Sequence, residues 1–245
     1  MRRLYPDPTD LDGAEELEGQ YLLEPGRHVR ADFVTSVDGA IEVDGRSGGL
    51  GGPADRSVFT AMRAVADAIL VGAGTVRVER YGPVVLEERS RRRRSDRGQG
   101  ELPALAVVSA RGDLDPAAGI FAGRDRPILL TTATAAEARP DLARVADVVV
   151  CGETRLDLKA ALDHLASRGL ERVLCEGGPS LLGSLLQEGL LDELCLTASP
   201  LIAGAGHPTL TGQRRLAAPA QLRIEAVMEG DGMIFSRYSV VRAQG

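Results

Sequence analysis

The sequence predicts one α/β domain whose central sheet is covered by helices on both faces. Two observations carry this prediction: apolar, strand-like runs alternate with stretches of helical spacing, and glycine turns close several of those runs. With 245 residues, 44% of them hydrophobic, the chain can bury one sizeable core. We expect a single domain over residues 28–245, preceded by a polar N-terminal arm over residues 1–27 with room for one short helix.

The first half of the domain contains two strands and one amphipathic helix. The run VRADFVTSV (residues 29–37) is typical of a strand and ends at the turn Asp38-Gly39. After the glycine-dense loop GRSGGLGGPADR, Pro53 suits a first helical turn, and apolar residues at helical spacing predict a helix over residues 54–66. The run DAILVGAGT then predicts a buried strand leading into a tight loop.

The second half of the chain alternates more regularly. The runs ALAVVS, PILLTT and DVVVC are typical of strands, with a helical stretch around residues 135–145. Asp157 is placed to cap a helix that Gly169 closes. The segment ERVLCEGGPSLLGSLLQEGLLDEL predicts a strand, a glycine turn and a helix, and LCLTASPLI and DGMIFSRYSVV supply the last strands.

Composition favours a small-molecule partner. The net charge is -6 and 26% of the residues are charged, a poor balance for wrapping nucleic acid. Cys151, Cys175 and Cys195 lie in apolar runs without C-x-x-C spacing, which predicts buried reduced thiols and no metal site. No run approaches the roughly 18 apolar residues of a membrane helix, and no signal core is visible, so we expect a cytoplasmic protein without a membrane partner.

Two glycine turns give the strongest functional signal. Glu176-Gly177-Gly178-Pro179-Ser180 lies between a predicted strand and a predicted helix, where glycines permit close approach and a helix start offers N–H groups to a phosphate. Val71-Gly72-Ala73-Gly74-Thr75 also follows a strand, and the Thr75 hydroxyl can bond a cofactor. Each alone is equally consistent with a plain turn. Together, at the carboxyl ends of strands in one sheet, they favour a nucleotide site.

Two carboxylates stand beside glycine turns and are candidate catalytic residues. Asp38 ends the first core strand, and Glu176 precedes the glycine pair. Either can anchor a hydroxyl-rich or amide-bearing substrate, or pass a proton. The alternative for a turn aspartate is capping of the local backbone.

An arginine-rich segment over residues 87–100, EERSRRRRSDRGQG, interrupts the pattern. Its composition is typical of a solvated, mobile loop. The alternative is an electrostatic contact to a phosphate, such as the 2′-phosphate of NADPH.

Five motifs, in order, resemble the pyrimidine reductase domain of riboflavin biosynthesis. They are SVDG (36–39), SGGLGGP (47–53), VGAGTVRVERYGP (71–83), EGGPSLLGSLL (176–186) and LDELCLTASPLIAGAG (191–206). The resemblance spans residues 28–240. It implies a dihydrofolate-reductase-like three-layer fold with a central, mostly parallel sheet, a homodimer, and NADPH-dependent reduction of 5-amino-6-(5-phosphoribosylamino)uracil to its ribitylamino product. The H-x-E and P-C-x-x-C signatures of the zinc deaminase often fused to this domain are missing from the sequence, so we expect no deamination.

The resemblance also implies site residues. Cofactor contacts, with the two turn glycines included, are Val34, Gly49, Gly72, Gly74, Thr75, Glu79, Ser109, Gly177, Gly178, Pro179, Ser180, Leu181, Leu182 and Ser184. Substrate contacts are Ser47, Arg63, Pro83, Leu86 and Glu176, with Asp38 near the reacting end. A guanidinium such as that of Arg63 can hold a phosphate by two bonds, and the alternative is a solvated helix arginine.

The sequence departs from the family pattern at three places. Residues 79–83 replace a shorter D-x-P stretch, Gly49 stands where many relatives carry a bulky aromatic residue, and the arginine-rich segment follows Leu86. These departures leave room for another substrate. The second hypothesis is therefore a reductase of a dihydropteridine such as dihydrofolate, which an aromatic content of 3% mildly disfavours. The third is an NADPH-binding protein without catalysis.

Overall fold

The computed structural model describes residues 1–212 and 214–242, so residues 213 and 243–245 of the expected domain lie outside the described residues. The helices are α1 (Ala14–Gly19), α2 (Pro53–Val65), α3 (Ala73–Val78), α4 (Glu88–Asp96), α5 (Ala133–Ala138), α6 (Leu158–Ser167) and α7 (Pro179–Gln187). The strands are β1 (Arg2–Tyr5), β2 (Thr9–Asp10), β3 (His28–Ser36), β4 (Ala68–Gly72), β5 (Ala104–Ser109), β6 (Ile128–Thr131), β7 (Asp147–Val150), β8 (Arg172–Cys175), β9 (Glu193–Ser199), β10 (Gln221–Gly230) and β11 (Met233–Val241).

The strands form one 11-stranded sheet in the order β2-β1-β10-β11-β9-β3-β8-β4-β5-β6-β7. The run from β9 to β7 is parallel throughout. The remaining strands, from β2 to β11, add to it in antiparallel pairs. Strands that alternate with helices along the chain favour parallel pairing, because the connection must cross over the sheet. The expected mostly parallel central sheet is confirmed.

Helices cover both faces of this sheet. The leucines of α6 and α7, including Leu165 and Leu185, pack against Val173 and Cys175 of β8 on one face. On the other face α2 packs against Leu174, which lies between those two residues in sequence, because successive strand residues point to opposite faces. Each fully buried leucine of this kind stabilises the folded state by about 1.5–3 kcal/mol.

The central strand β8 ends earlier than its neighbours. Its last residue, Cys175, pairs with Ala31 of β3 and Leu70 of β4. The next residues stay with β4: the Glu176 amide donates to the Leu70 carbonyl at 3.0 Å, and the Gly72 amide donates to the Gly177 carbonyl at 2.8 Å. Strand β3 instead continues beside β9 as far as Ser36. The sheet therefore parts at the carboxyl end of β8, where open α/β sheets bind ligands.

The N-terminal segment is part of the sheet, in place of the expected arm. Strand β1 pairs with β10, and β2 pairs with β1. The one short helix expected there is α1, and Leu17 and Tyr21 bury their side chains against α2. The polar composition reflects the exposure of β1, which lies next to the edge strand β2. The partner of β1 lies more than two hundred residues away, at Glu229 opposite Arg2.

The arginine-rich segment forms helix α4, in place of the expected mobile loop. Arg94 is 1% exposed and donates to the carbonyls of Ala64 at 3.2 Å and Ala66 at 2.5 Å, at the end of α2. Arg93 donates to the buried carboxylate of Glu18 at 2.5 Å. These two arginines are engaged inside the protein, where they satisfy helix-end carbonyls and a buried charge. Composition predicted a solvated loop because it shows none of these partners.

The three cysteines are buried free thiols, as the sequence predicts. In the described part of the chain no helix has the length and apolar character needed to cross a membrane.

Replacing Arg94 with leucine should destabilise the fold. The substitution removes the short bond to the Ala66 carbonyl, where among the described residues only a 3.4 Å contact from Gln99 remains, and the 2.8 Å bond to the Gly100 carbonyl. The free energy of unfolding should therefore fall by about 1–3 kcal/mol in urea titrations. Arg92→Leu, on the same helix with its side chain 75% exposed, is the matched control and should change it by about 0.5 kcal/mol or less. Equal losses in the two variants would contradict the assignment.

Candidate active site

A cavity of about 660 Å³ lies beyond the carboxyl end of β8, between β3 and β4. Its volume is within the size range of small-molecule sites. Its wall is built by β3, by the glycine loop before α2, by α3 with the residues after it, and by the turn into α7. The residues expected at the site that line it are Val34, Ser47, Gly72, Gly74, Thr75, Glu79, Glu176, Gly177, Gly178, Pro179, Ser180 and Leu181. The two glycine turns therefore meet at one cavity.

The remaining expected site residues lie outside the cavity wall. They are Asp38, Gly49, Arg63, Pro83, Leu86, Ser109, Leu182 and Ser184. Leu182 is 0% exposed and belongs to the hydrophobic core, because it faces the sheet from α7. Gly49 packs against Val43, where a Cβ at Gly49 would approach the Val43 Cβ to 3.3 Å.

The glycine turns touch each other. A Cβ added to Gly178 would lie 2.7 Å from the Thr75 Oγ1, and one added to Gly72 would lie 3.6 Å from the Gly178 amide nitrogen. Gly177 has a φ of 96°, a conformation that glycine adopts without strain. Gly178 then precedes Pro179, which begins helix α7. The glycines thus let the start of α7 approach Thr75 closely, with the first turn of the helix at the cavity wall.

Glu176 is held at the cavity floor by an ion pair. Its side chain is 2% exposed, and Arg63 of α2 donates to both carboxylate oxygens at 2.7 Å. Tyr81 also donates to Glu176 and accepts from Arg63 at 2.6 Å. The Arg63 guanidinium stacks 4.1 Å from the centre of the Phe59 ring. This bidentate pair is the strong form of a carboxylate interaction.

The ion pair changes the interpretation of Arg63. The sequence suggested a phosphate contact, but the guanidinium is committed to Glu176, 113 residues away. Burial alone would lower the pKa of Arg63, and the hydrogen bonds and charge of Glu176 outweigh it and raise that pKa. Burial and the Glu176 charge likewise raise the pKa of Tyr81, which keeps its phenol protonated.

Asp38 lies outside the cavity and caps local backbone. Its carboxylate accepts from the Ser36 hydroxyl at 2.5 Å and from the amides of Ala203 at 3.0 Å and Gly204 at 2.7 Å. The Ser36 bond, with the two amides, lowers the pKa of Asp38 to about 2. Asp38 therefore caps the local backbone, which is the alternative that the sequence left open. Its hydrogen bonds hold the loop after β9 in place.

Ser47 and Glu79 tie two sides of the cavity together. The amide and the hydroxyl of Ser47 both donate to one Glu79 oxygen at 3.0 Å. The loop before α2 is thereby fixed to the end of α3. The sequence placed these residues in separate substrate and cofactor sets, and the structure joins them directly.

Sequence reasoning missed several cavity residues, and four of them carry polar or aromatic groups that matter for the chemistry of the site: Asp32, Asp55, Phe59 and Tyr81. Asp32 had one available signal, a charged residue in the middle of an apolar strand. Burial, followed by the charges of Asp55 and Glu176, raises the pKa of Asp32 well above its usual value. The other three had no local signal, since each looks like an ordinary position in a helix or a loop.

A larger cleft of about 970 Å³ lies between the N-terminal segment and α2. Glu18 and Asp231 are among its lining residues, and none of the expected site residues reaches it. The smaller cavity, which both glycine turns border, is therefore the candidate active site.

Comparison with known proteins identifies the family. The model of the RibD C-terminal domain matches residues 27–233. A 2,5-diamino-6-ribosylamino-4(3H)-pyrimidinone 5′-phosphate reductase from Archaeoglobus fulgidus is 30% identical over 207 residues, which are 83% of this chain and 94% of that protein.

Solved structures agree. A pyrimidine reductase-like protein from Corynebacterium diphtheriae superposes with a TM-score of 0.79 at 31% identity, over 88% of this chain and 92% of that chain. RibD of Acinetobacter baumannii has a TM-score of 0.70 at 22% identity, over 89% of this chain and 59% of its own, and shows the fold alone. The expected α/β fold with a central, mostly parallel sheet and the expected kinship with riboflavin-pathway pyrimidine reductases are confirmed. The chain belongs to the RibD C-terminal domain family.

Proposed function

We propose that this protein is an NADPH-dependent reductase in riboflavin biosynthesis that converts the ribosyl group of a 6-ribosylaminopyrimidine 5′-phosphate into a ribityl group. The meeting of both glycine turns at one cavity carries the proposal. The expected substrate is 5-amino-6-(5-phosphoribosylamino)uracil. The name of the Archaeoglobus relative favours a second candidate, the 2,5-diamino-4(3H)-pyrimidinone analogue.

The cavity suits a dinucleotide such as NADPH. Helix α7 begins at the cavity wall, where the positive end of its dipole favours a pyrophosphate. The Thr75 hydroxyl lies beside Gly178, and the glycines leave open the space that side chains would fill. These residues, with Val34 on the opposite wall, would hold the cofactor, which supplies a hydride when bound.

The protein's own contribution is orientation in a site partly shielded from water. The substrate, as its opened ribosylamine tautomer, carries a C=N bond that accepts hydride at carbon and a proton at nitrogen. Glu176, fixed by Arg63 and Tyr81, is a rigid acceptor for substrate N–H or O–H groups. The position of Ser47 at the wall makes its hydroxyl a second polar contact.

A dihydropteridine remains the alternative substrate class. The low aromatic content disfavoured it in the sequence, but Phe33, Phe59 and Tyr81 all line the cavity. The few aromatic residues are thus concentrated where a flat ring would stack, which weakens that argument.

Loss of NADPH absorbance in the presence of each candidate substrate tests the proposal. Turnover of either ribosylaminopyrimidine phosphate supports it. Turnover of dihydrofolate alone would replace it with the pteridine alternative, and cofactor binding without oxidation by any of these compounds would favour the non-catalytic hypothesis.

We further propose a homodimer and a cytoplasmic location. The leucines of α7 are buried in the core, so the final strands remain as the candidate interface. Leu222 and Ile224 of β10 are 41% and 40% exposed, and Ile234 of β11 is 37% exposed. Sedimentation equilibrium measures the assembly. The buried free thiols suit a reducing compartment.

Glu176→Gln should abolish most turnover in a protein that still folds, with reduced stability because Arg63 loses its charge partner. Glutamine keeps the shape but loses the charge that fixes Arg63, so kcat should fall by about 100-fold or more. Steady-state kinetics and circular dichroism measure the two effects. Glu188→Gln, on an exposed residue at the end of α7, is the control. Unchanged kinetics in Glu176→Gln would remove Glu176 from the site.

Thr75→Val should weaken NADPH binding. Losing one hydrogen bond of about 1 kcal/mol raises Kd roughly five-fold. Isothermal titration with NADPH measures this, with the exposed Thr134→Val as the control. An unaltered affinity in Thr75→Val would exclude the hydroxyl as a cofactor contact.

A further inference from the structure

Asp32 is a carboxyl group in the cavity wall that the proposed function leaves unused. It lies in the middle of β3, is half-buried, and lines the cavity. Within residues 1–212 and 214–242, no group donates a hydrogen bond to it. A carboxyl enclosed in a cavity without a protein partner loses the solvation of water and gains nothing in exchange. Because its oxygens are still free to form hydrogen bonds, Asp32 is a candidate contact for a ligand.

The groups around Asp32 do not neutralise its charge. Two carboxylates face it, Asp55 from α2 and Glu176 after β8, and both act to raise its pKa. The two cations that act to lower it are committed elsewhere. Arg30 donates to Glu193 at 2.7 Å, and Arg63 is bound to Glu176.

Three other titratable neighbours, Tyr21, Cys175 and Cys195, are neutral. Burial raises the pKa of Tyr21 and of Cys195, the latter on β9. Burial likewise raises the pKa of the Cys175 thiol, on β8, to about 12. Beside Asp32, Asp55 also has its pKa raised by burial, against a hydrogen bond from Thr197 and the charge of Arg56. Asp32 therefore keeps its proton at a pH where an ordinary aspartate has lost it.

Two other acidic groups of the site, Glu176 and Glu79, are already engaged by the protein. Both oxygens of Glu176 accept hydrogen bonds from Arg63, and the Tyr81 hydroxyl donates a further hydrogen bond to Glu176. One Glu79 oxygen accepts twice from Ser47. Asp32 is thus an enclosed carboxyl that keeps its proton and to which no group of the described residues donates a hydrogen bond.

We propose that Asp32 is the proton donor of this active site, giving its proton to the nitrogen of the substrate C=N bond. The inference rests on the proposed function. The carbon of that bond receives the hydride and its electron pair from the dihydronicotinamide, which is oxidised, and a C–H bond forms. The nitrogen forms an N–H bond with the Asp32 proton as the C=N π bond breaks. The Asp32 carboxylate then recovers a proton from water.

Single-turnover hydride transfer at saturating NADPH tests the role across pH. In the wild type the rate should be full below the pKa of Asp32 and should fall as pH rises through it, because the protonated form is active. Asp32→Asn should reduce the rate at least about 100-fold and remove this falling limb, with NADPH affinity unchanged. Asp163→Asn, on the exposed face of α6, is the matched control.

Asp55→Asn tests the electrostatic cause while leaving Asp32 in place. Removing the neighbouring negative charge lowers the pKa of Asp32, so the falling limb should move to lower pH. This variant keeps the proposal testable if Asp32→Asn does not fold. A limb that stays where it is in Asp55→Asn, or a shift to higher pH, would overturn the proposal.

An infrared difference titration of the protein without cofactor gives a readout independent of activity. The carbonyl band of a protonated carboxyl should persist toward neutral pH in the wild type and be missing in Asp32→Asn. Its absence from the wild type would overturn the proposal whatever the activity. Wild-type rates in Asp32→Asn would overturn it and leave the proposed function standing, whereas a wild type inert toward every substrate offered would instead defeat the proposed function.

Discussion

The early end of β8 is the constraint on which the rest of the site depends. Cys175 is the last residue of β8 that pairs with both β3 and β4. After it the chain pairs with β4 alone, through hydrogen bonds to Leu70 and Gly72. Strand β3 is left with a free side above that point. This one-sided pairing opens the cavity and places Glu176 and the start of α7 in its wall.

A buried carboxylate in that position needs a cation, and the rest of the architecture supplies one. Removing one partner of a buried pair costs about 3–5 kcal/mol, so Glu176 and Arg63 are mutually dependent. Arg63 stands near the end of α2, whose last carbonyls are bound by Arg94 of α4. The arginine-rich segment therefore affects the site indirectly, because it fixes the end of α2 that carries Arg63.

The parts of this structure that sequence could predict are those encoded locally. Alternating apolar runs predicted the parallel strands, and each glycine turn showed its own position beside a strand end. Pairings between distant residues could not be read in the same way. Arg63 meets Glu176 across 113 residues, and β1 meets β10 across almost the whole chain. The sequence singled out Asp38 at the turn after β3 and passed over Asp32 within that strand, and only the tertiary structure shows that Asp38 caps a loop while Asp32 lines the cavity.

We propose that this cavity delivers hydride to the sugar carbon of a ribosylaminopyrimidine phosphate. The most direct measurement uses NADPH deuterated at C4 of the nicotinamide and locates the label in the product by NMR. We expect deuterium at the first carbon of the ribityl chain, with the label arising from one of the two C4 positions. Deuterium at a ring carbon, or a product without label, would contradict it.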